Sequence, residues 1–277
     1  MQRFVRAELL VALSDPHSAT VRHTAGSVVT ALAARNSRGS GGLATTWPEL
    51  LPSIAALLDA AQAGGGSGEA ALLGAAGGLS CVAKLCEDGR LDEAAAEAFV
   101  PRLLAFLGAP SPDSRVPALT ALLHLCGPPM ASALAKNLGA FMQGLSALTG
   151  DPSPAVRQLV CQCIVALLEA APEQVVPAFS ALAEFMLHAS GNSAQEPEVA
   201  TAALEFWVPC CHCAQLGAST EAEPAFLAVL PRLIPLLLNV RGRAKTFGGP
   251  TYALVFVSVR ALLLNLLVRT ISSRLLC

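Results

Sequence analysis

Residues 141–170 read FMQGLSALTG-DPSP-AVRQLVCQCIVALLEA, and this stretch decides the fold. Apolar residues recur at helical spacing in its first segment, as at Phe141, Leu145 and Leu148. A polar turn with Asp151 and two prolines follows, and a second apolar run then begins. Because both runs are amphipathic and the turn between them is short, the stretch predicts a pair of antiparallel helices.

The same plan recurs along the chain. Four other segments combine an apolar run, a turn or loop and a second run: residues 4–34, 47–88, 99–126 and 175–208. A sixth begins with FLAVLPRLIPLLLN, residues 226–239, and has no recognisable second helix. The equivalent positions Arg115, Arg157 and Ala200 lie 42 and 43 residues apart, which falls in the HEAT and armadillo range of about 40–47.

One helix pair of this kind cannot bury its apolar face alone, so neighbouring pairs must stack. The sequence therefore predicts an all-α solenoid of about five and a half HEAT repeats, in which antiparallel helix pairs stack into a superhelix. Its binding surface is expected on the inner faces of the second helices, without assignment to individual residues.

The turns between the paired runs have side chains suited to starting a helix. Pro154 at a first helical position costs no helical hydrogen bond. Asp151 is expected to cap free N–H groups of the next helix. Val-Arg pairs follow the turn at Arg22 and Arg157. We expect such an arginine to lie along the stack and reach the aspartate of a neighbouring turn.

Composition and charge narrow the class of protein. Hydrophobic residues make up 53% of the 277, but aromatic residues only 5%, which favours helices packed through small side chains over a β-sandwich. Residues 1–240 contain 12 basic residues and all 20 acidic residues, which gives a net charge of −8. The charged residues of 241–277 are all basic. An acidic body disfavours nucleic acid and suits basic protein partners. The alternative is that this charge only aids solubility.

The nine cysteines lie mostly in apolar helical runs. The opening MQRFVRAELL does not read as a secretory leader, so a reducing intracellular compartment with buried free thiols is expected. The cluster Cys210-Cys211-His212-Cys213 has metal-ligating side chains, but neighbouring helical residues point about 100° apart and cannot converge on one ion. The same holds for Cys161 and Cys163, so we expect packing residues and no metal site.

No motif of an enzyme active site occurs in the sequence. There is no GxSxG elbow, Walker loop or HExxH, and the Gly-rich run at residues 64–68 lacks the Lys-Ser/Thr that a phosphate loop needs. None of the five histidines adjoins a plausible Ser or Cys nucleophile: His17, His23, His124, His188 and His212. The sequence thus predicts a binding scaffold with no catalytic, cofactor-binding or metal-binding residue.

Two tryptophans have two possible roles. Trp47 begins the predicted helix WPELLP, and Trp207 follows Glu205 and Phe206 on a second helix. An exposed Trp would indicate an anchor site for a partner. Their helical spacing favours packing between repeats instead.

Residues 1–240 are expected to form the repeat domain, with flexible loops at residues 36–46, 62–68 and 190–196. Residues 241–277 break the pattern with a basic loop and an apolar run. Its residues 252–268 are short for a membrane helix and contain Arg260 near the middle. A packed apolar helix is favoured over a membrane anchor. A third hypothesis is that this tail is a translated non-coding extension, foreign to the fold.

Six stretches, in order, resemble the transportin (karyopherin β-2) branch of the importin-β family. They are residues 21–34, 47–59, 99–115, 141–169, 198–207 and 230–239. The WP-LLP helix, the turn from Gly150-Asp151 to Val156-Arg157 and the Glu-Phe-Trp helix occur in the family's order. The resemblance covers about residues 2–240 and stops after Asn239.

This resemblance implies an N-terminal part of a nuclear import receptor, a non-enzymatic carrier that shuttles between cytoplasm and nucleus. It implies binding of Ran in its GTP form, of cargo with nuclear localisation signals and of nuclear pore proteins. The family's cargo-binding C-terminal arch has no counterpart in this sequence. Two alternatives stay open: another HEAT scaffold, such as a phosphatase scaffold subunit or an assembly chaperone, and a protein anchored in a membrane through residues 252–268.

Overall fold

The computed structural model describes residues 2–15, 17–36, 43–63, 69–127 and 130–243. Within these ranges every regular element is helical and none is a strand, so the prediction of an all-α, HEAT-type fold is confirmed. The described chain divides into a first compact unit that ends at Leu148 and a second that begins at Thr149. The division falls in the turn of the fourth predicted repeat.

The first unit contains three complete helix pairs and the first helix of a fourth repeat. Its helices are α1 (Gln2–Leu13), α2 (Ala19–Asn36), α3 (Leu43–Thr46), α4 (Leu50–Ala63), α5 (Glu69–Glu87), α6 (Glu93–Ala105), α7 (Pro112–Leu125), α8 (Ser132–Lys136) and α9 (Leu138–Leu148). The pairs are α1–α2, α4–α5 and α6–α7, and the second helices stack as α2 on α5 and α5 on α7.

The second unit begins with a second helix and continues with one complete pair. Its helices are α10 (Pro154–Ala170), α11 (Pro172–Val175), α12 (Phe179–Gly191), α13 (Pro197–Glu205), α14 (Trp207–His212), α15 (Ala214–Ala218) and α16 (Ala222–Arg243). Here α13 packs on α10, and the first helices α12 and α16 pack on each other. Beyond residue 243 the predicted tail lies outside the described residues, and with it the candidate membrane segment 252–268.

The turn between α1 and α2 shows how a hairpin is closed. The Asp15 carboxylate accepts the N–H groups of His17 and Ser18 at 2.9 and 2.7 Å. These two hydrogen bonds hold the pKa of Asp15 below its usual value, and the bond from Ser18 has the larger effect. The Ser18 hydroxyl in turn accepts the N–H of Val21 at 3.2 Å and so caps α2. The aspartate therefore orders the turn, and the serine, which sequence reasoning passed over, caps the helix.

The arginine that follows a hairpin turn donates mainly to backbone carbonyl groups of that same turn. Arg22 Nη1 donates to the Asp15 carbonyl at 2.7 Å, and Arg115 Nη1 donates to the carbonyls of Ala109 and Pro110 at 2.6 and 2.9 Å. Arg157 donates likewise to the Asp151 carbonyl and also pairs with Glu196, directly before α13. At this position the expected link to a neighbouring turn exists, with a glutamate in place of the predicted aspartate.

Close stacking of the second helices depends on a glycine. A Cβ built on Gly77 of α5 would lie 2.1 Å from the Leu13 carbonyl oxygen and 3.3 Å from Arg22 Cδ. The backbone at the end of α1 therefore occupies the space where a side chain would be. Just beyond the C-terminal end of α5, Gly89 takes a left-handed φ of 61°, which other residues adopt only with strain, and so terminates the helix.

Ion pairs also join first helices of successive repeats. Arg102 of α6 donates to both carboxylate oxygens of Asp59 at 2.7 and 2.8 Å, and Arg232 of α16 donates to both of Glu184 at 2.7 and 2.8 Å. The two arginines stand in equivalent Pro-Arg-Leu triplets, a sequence signal that apolar periodicity alone does not bring out. These pairs are largely exposed, so each contributes about 0–1 kcal/mol and orients the helices more than it stabilises them.

Three sequence expectations need correction. Parts of two predicted loops are helical, since Leu43–Thr46 of the loop 36–46 forms α3 and Gln62 and Ala63 of the loop 62–68 belong to α4; residues 37–42 and 64–68 lie outside the described ranges. Ser190 and Gly191 belong to α12 and not to a loop. Trp47 does not begin a helix, because it lies in the turn between α3 and α4.

Replacing Gly77 by Ala should destabilise the fold by roughly 1–3 kcal/mol, because the methyl group meets backbone and not a movable side chain. Gly26→Ala is the matched control, since its Cβ would lie an ordinary 3.7 Å from Leu13 Cδ2. Because Gly26 lies in the middle of α2, Gly26→Ala should increase the free energy of unfolding by roughly 0.5–1 kcal/mol. Urea denaturation measures both, and equal effects of the two substitutions would contradict the assigned close contact.

Replacing Glu196 by Gln should destabilise the second unit by about 1–2 kcal/mol, because the partly buried Arg157 loses its ionic partner. Glu198, two residues on and exposed, is the control, and Glu198→Gln should have no measurable effect. A double-mutant cycle with Arg157→Gln isolates the pairing energy. An energy near zero would show that the pair does not hold α10 and α13 together.

Candidate partner-binding surface

The second helices form the continuous surfaces on which a partner was expected. In the first unit these helices are α2, α5 and α7; in the second they are α10 and α13. The C-terminal ends of α5, α10 and α13 are acidic, whereas α2 has Arg35 in its last turn. Glu87 and Asp88 are exposed at the end of α5, Glu169 is exposed near the end of α10, and Glu205 is half-buried at the end of α13. A surface of this sign attracts basic segments of a partner.

Two of these acids influence each other. Burial raises the pKa of Glu205 above its usual value, and the negative charge of Glu169 raises it further. No ion pair of Glu205 with a base occurs in the described part of the chain. A cationic group bound between α10 and α13 would relieve this repulsion. Sequence reasoning missed the pair because the two residues lie on different helices, and only the packing of these helices brings them together.

An aromatic cluster holds α13 and α14 in place. The rings of Phe179, Phe206, Trp207 and Phe226 lie 5.1–6.3 Å apart in stacked and edge-on contacts. Trp207 is fully buried, and its indole N–H donates to the Ser190 hydroxyl at 3.3 Å. The Phe206-Trp207 pair thus packs between repeats, as the helical spacing predicted, and is no anchor for a partner.

Trp47 is also buried, in the first unit. The guanidinium carbon of Arg6 lies 5.0 Å from the centre of its ring, a cation–π contact. This contact joins α1 to the start of the second repeat, so Trp47 too has a packing role. Neither tryptophan belongs to the surface that a partner meets.

The cysteine cluster lies at the C-terminal end of α14, with Cys213 directly after the helix, and only one of its members has the burial of a packing residue. Cys210 is buried, Cys211 and Cys213 are partly exposed and His212 is exposed. The Cys211 thiol donates to the Trp207 carbonyl at 2.8 Å, and burial raises its pKa to about 12. Within the described ranges no three His, Cys, Asp or Glu side chains converge as metal ligands.

Five other cysteines have equally unreactive thiols, and burial raises the pKa of one of them, Cys210, well above its usual value. Burial raises the pKa to about 12 for Cys81, Cys86, Cys126 and Cys161. Cys163, two residues beyond Cys161, is also buried. Because the thiolate is both the nucleophile and the metal ligand, these side chains act as small apolar packing groups.

A shallow cavity of about 540 Å³ lies along the first helices of the second unit. It is bordered by Leu187, His188, Gly191, Asn192, Arg232 and Leu236 of α12 and α16. Leucines form its apolar part, and Arg232 is held at its edge by Glu184. Because the cavity is shallow and open, it suits a side chain of a partner peptide better than a small molecule, which needs an enclosed pocket.

No helix in the described ranges combines the length and the apolar character that crossing a membrane requires.

Replacing Glu205 by Gln should stabilise the protein at neutral pH, and this gain should vanish as the pH falls below 4.5, the ordinary value for a glutamate. The sign follows from the raised pKa: the folded state disfavours the charged form, so ionisation costs stability as pH rises through the shifted value. Urea midpoints across this pH range measure the effect. The exposed Glu173→Gln is the control, and a gain independent of pH would contradict the assignment.

The chain is similar in sequence to known transportins, although no family model matches it. The transportin of Dictyostelium discoideum is 32% identical over 245 residues, which is 86% of this chain and 24% of that protein. Transportin-1 of Mus musculus is 29% identical over 242 residues, and importin subunit beta-2 of Schizosaccharomyces pombe is 27% identical over 243 residues.

Each of these last two alignments covers 85% of the chain and 24% of the relative, so the chain spans about a quarter of the length of the curated relatives it matches. The HEAT-type helix pairs and these alignments together show that the chain belongs to the transportin (importin β-2) family of nuclear import receptors.

Proposed function

We propose that the chain is a protein-binding segment of a nuclear import receptor, which binds the GTPase Ran in its GTP form and takes part in importing proteins with nuclear localisation signals. The observation that carries this proposal is the similarity to transportins over 86% of the chain. The relatives are named as transport receptors and not as enzymes, which agrees with a scaffold that performs no chemistry.

The surface of stacked second helices supports this function. Within each unit the second helices pack on one another, and the acidic ends of α5, α10 and α13 complement basic segments. Recognition by such a surface depends on a broad interface with many modest contacts, as in standard protein–protein complexes. The Glu169–Glu205 pair gains most from a bound cation, because a positive charge there removes an existing repulsion.

The remaining family partners are part of the same proposal. Nuclear pore proteins would contact the first helices, where the α12–α16 cavity accepts a bulky side chain. Cargo recognition is proposed for the full-length receptor, since the resemblance places the cargo arch outside the matched quarter. The protein would accordingly shuttle between cytoplasm and nucleus, without binding nucleic acid.

Binding of the purified full chain to Ran loaded with GTP or GDP tests the proposal. We expect a clear preference for the GTP form in biolayer interferometry, weakened by salt because the acidic helix ends contribute. Equal or absent binding by a chain that circular dichroism shows to be helical would overturn Ran recognition. It would leave a transportin-family scaffold whose partner is not Ran.

Charge reversals locate the surface. Glu169→Lys combined with Glu205→Lys should weaken binding of the GTP form about tenfold or more, by repelling a basic partner. Glu221→Lys changes an exposed acid just before α16 and is the matched control, expected to bind normally. If the control weakens binding as much as the pair does, the second-helix ends are not the contact surface.

A further inference from the structure

Two turns of the fold contain the same dipeptide, a serine followed directly by a proline. Ser111-Pro112 begins α7, and Ser153-Pro154 begins α10. The backbone is extended at both serines, with φ and ψ of −90° and 136° at Ser111 and of −82° and 119° at Ser153. Proline favours this conformation in the residue before it. An extended serine followed by proline is also the acceptor that proline-directed protein kinases select.

The fold uses the hydroxyl groups of these two serines differently. The Ser111 hydroxyl accepts the N–H of Asp113 at 3.2 Å and so caps α7. The Ser153 hydroxyl makes no capping hydrogen bond. Its backbone N–H, and not its hydroxyl, bonds the Asp151 carboxylate, at 2.9 Å. The first hydroxyl is therefore part of a helix cap, whereas the second is not.

The turn around Ser153 is accessible to an enzyme. Pro152, Pro154 and Ala155 are exposed, and Ser153 itself is partly exposed. The N–H groups of a first helical turn have no acceptor within the helix, so the start of α10 opens at little cost. This first turn contains no acidic side chain, whereas the first turn of α7 contains Asp113. A phosphate at the start of α10 therefore meets the positive end of the helix dipole without an acid inside that turn.

We propose that Ser153 is a phosphorylation site, which a proline-directed protein kinase modifies with ATP as the phosphoryl donor. The Ser153 hydroxyl oxygen attacks the γ-phosphorus of ATP, the new O–P bond forms, and the bond to the β,γ-bridging oxygen breaks, so that ADP leaves. The hydroxyl proton passes to a basic group of the kinase. The product has three acceptor oxygens and a charge of about −1.5 to −2 at neutral pH.

The new charge acts on Arg157, one helical turn further along α10. The Arg157 backbone N–H donates to the Ser153 carbonyl at 3.2 Å, and its guanidinium bonds the Asp151 carbonyl and pairs with Glu196 in front of α13. A phosphate competes with Glu196 for this cation, and it repels the carboxylates of both Glu196 and Asp151. Phosphorylation thus breaks the ionic link between α10 and α13, whichever partner the second helices bind.

Labelling of the purified full chain by a mitogen-activated protein kinase with ATP tests the site. Mass spectrometry of the phosphopeptides should locate phosphate on Ser153. Pro154→Ala should abolish this label, whereas Ser111→Ala should leave it unchanged. Ser153→Ala should not shift the urea midpoint, because its hydroxyl caps nothing, but Ser111→Ala should lower it. A chain that circular dichroism shows to be helical and that receives no phosphate on Ser153 would overturn the proposal.

Urea denaturation of the phosphorylated chain tests the effect on Arg157. Glu196→Gln should lower the urea midpoint of the unmodified chain. After phosphorylation of Ser153 the same substitution should have no effect, because the ionic link that it removes is already broken. The exposed Glu198→Gln is the control and should have no effect in either form. If Glu196→Gln lowers the midpoint equally in both forms, the phosphate does not displace Glu196 and the proposed uncoupling is overturned.

Discussion

The close approach of the second helix α5 to the preceding α1–α2 pair is the constraint on which the stacking of the first unit depends. At Gly77 the backbone of α5 approaches the Leu13 carbonyl so closely that no side chain fits on this residue. Such contact requires small residues, and it explains a composition rich in alanine and poor in aromatics. It also explains why buried cysteines occur here, since a thiol fills a small apolar space and its raised pKa keeps it protonated.

Much of the fold could be predicted from periodicity and turn residues, because these signals are local. Helix pairs, the Asp/Pro turns and the repeat spacing are all encoded within about 45 residues. The local sequence pattern could not predict which oxygen accepts the hydrogen bond of Arg22. In the structure this acceptor is the Asp15 carbonyl in the same turn. Nor could the pattern separate Asp15, which orders the turn, from Ser18, which caps the helix. The bond of Arg22 and the separate roles of Asp15 and Ser18 both depend on the residue at which the helix begins.

The candidate surface was less predictable, because its properties arise between helices. That the second helices present it followed from the repeat plan, and the packing roles of Trp47 and Trp207 followed from their helical spacing. The repulsion between Glu169 and Glu205 depends on how α10 and α13 align, which no single run of sequence specifies. The pairing of Arg102 with Asp59 likewise needs both α4 and α6 in place, although the repeated Pro-Arg-Leu triplet pointed to the arginine.

The fold separates the residues that build a repeat from those that meet a partner. Turn aspartates, capping serines and turn-binding arginines use their polar groups inside the hairpin, so they are not available for recognition. Recognition is left to side chains at helix ends and on exposed faces, which vary without cost to the stack. Geometry alone therefore identifies a scaffold, and shared ancestry with transportins is what directs the functional proposal to a particular partner. The acidic helix ends then add a prediction to this hypothesis, because they require the partner to present a basic surface.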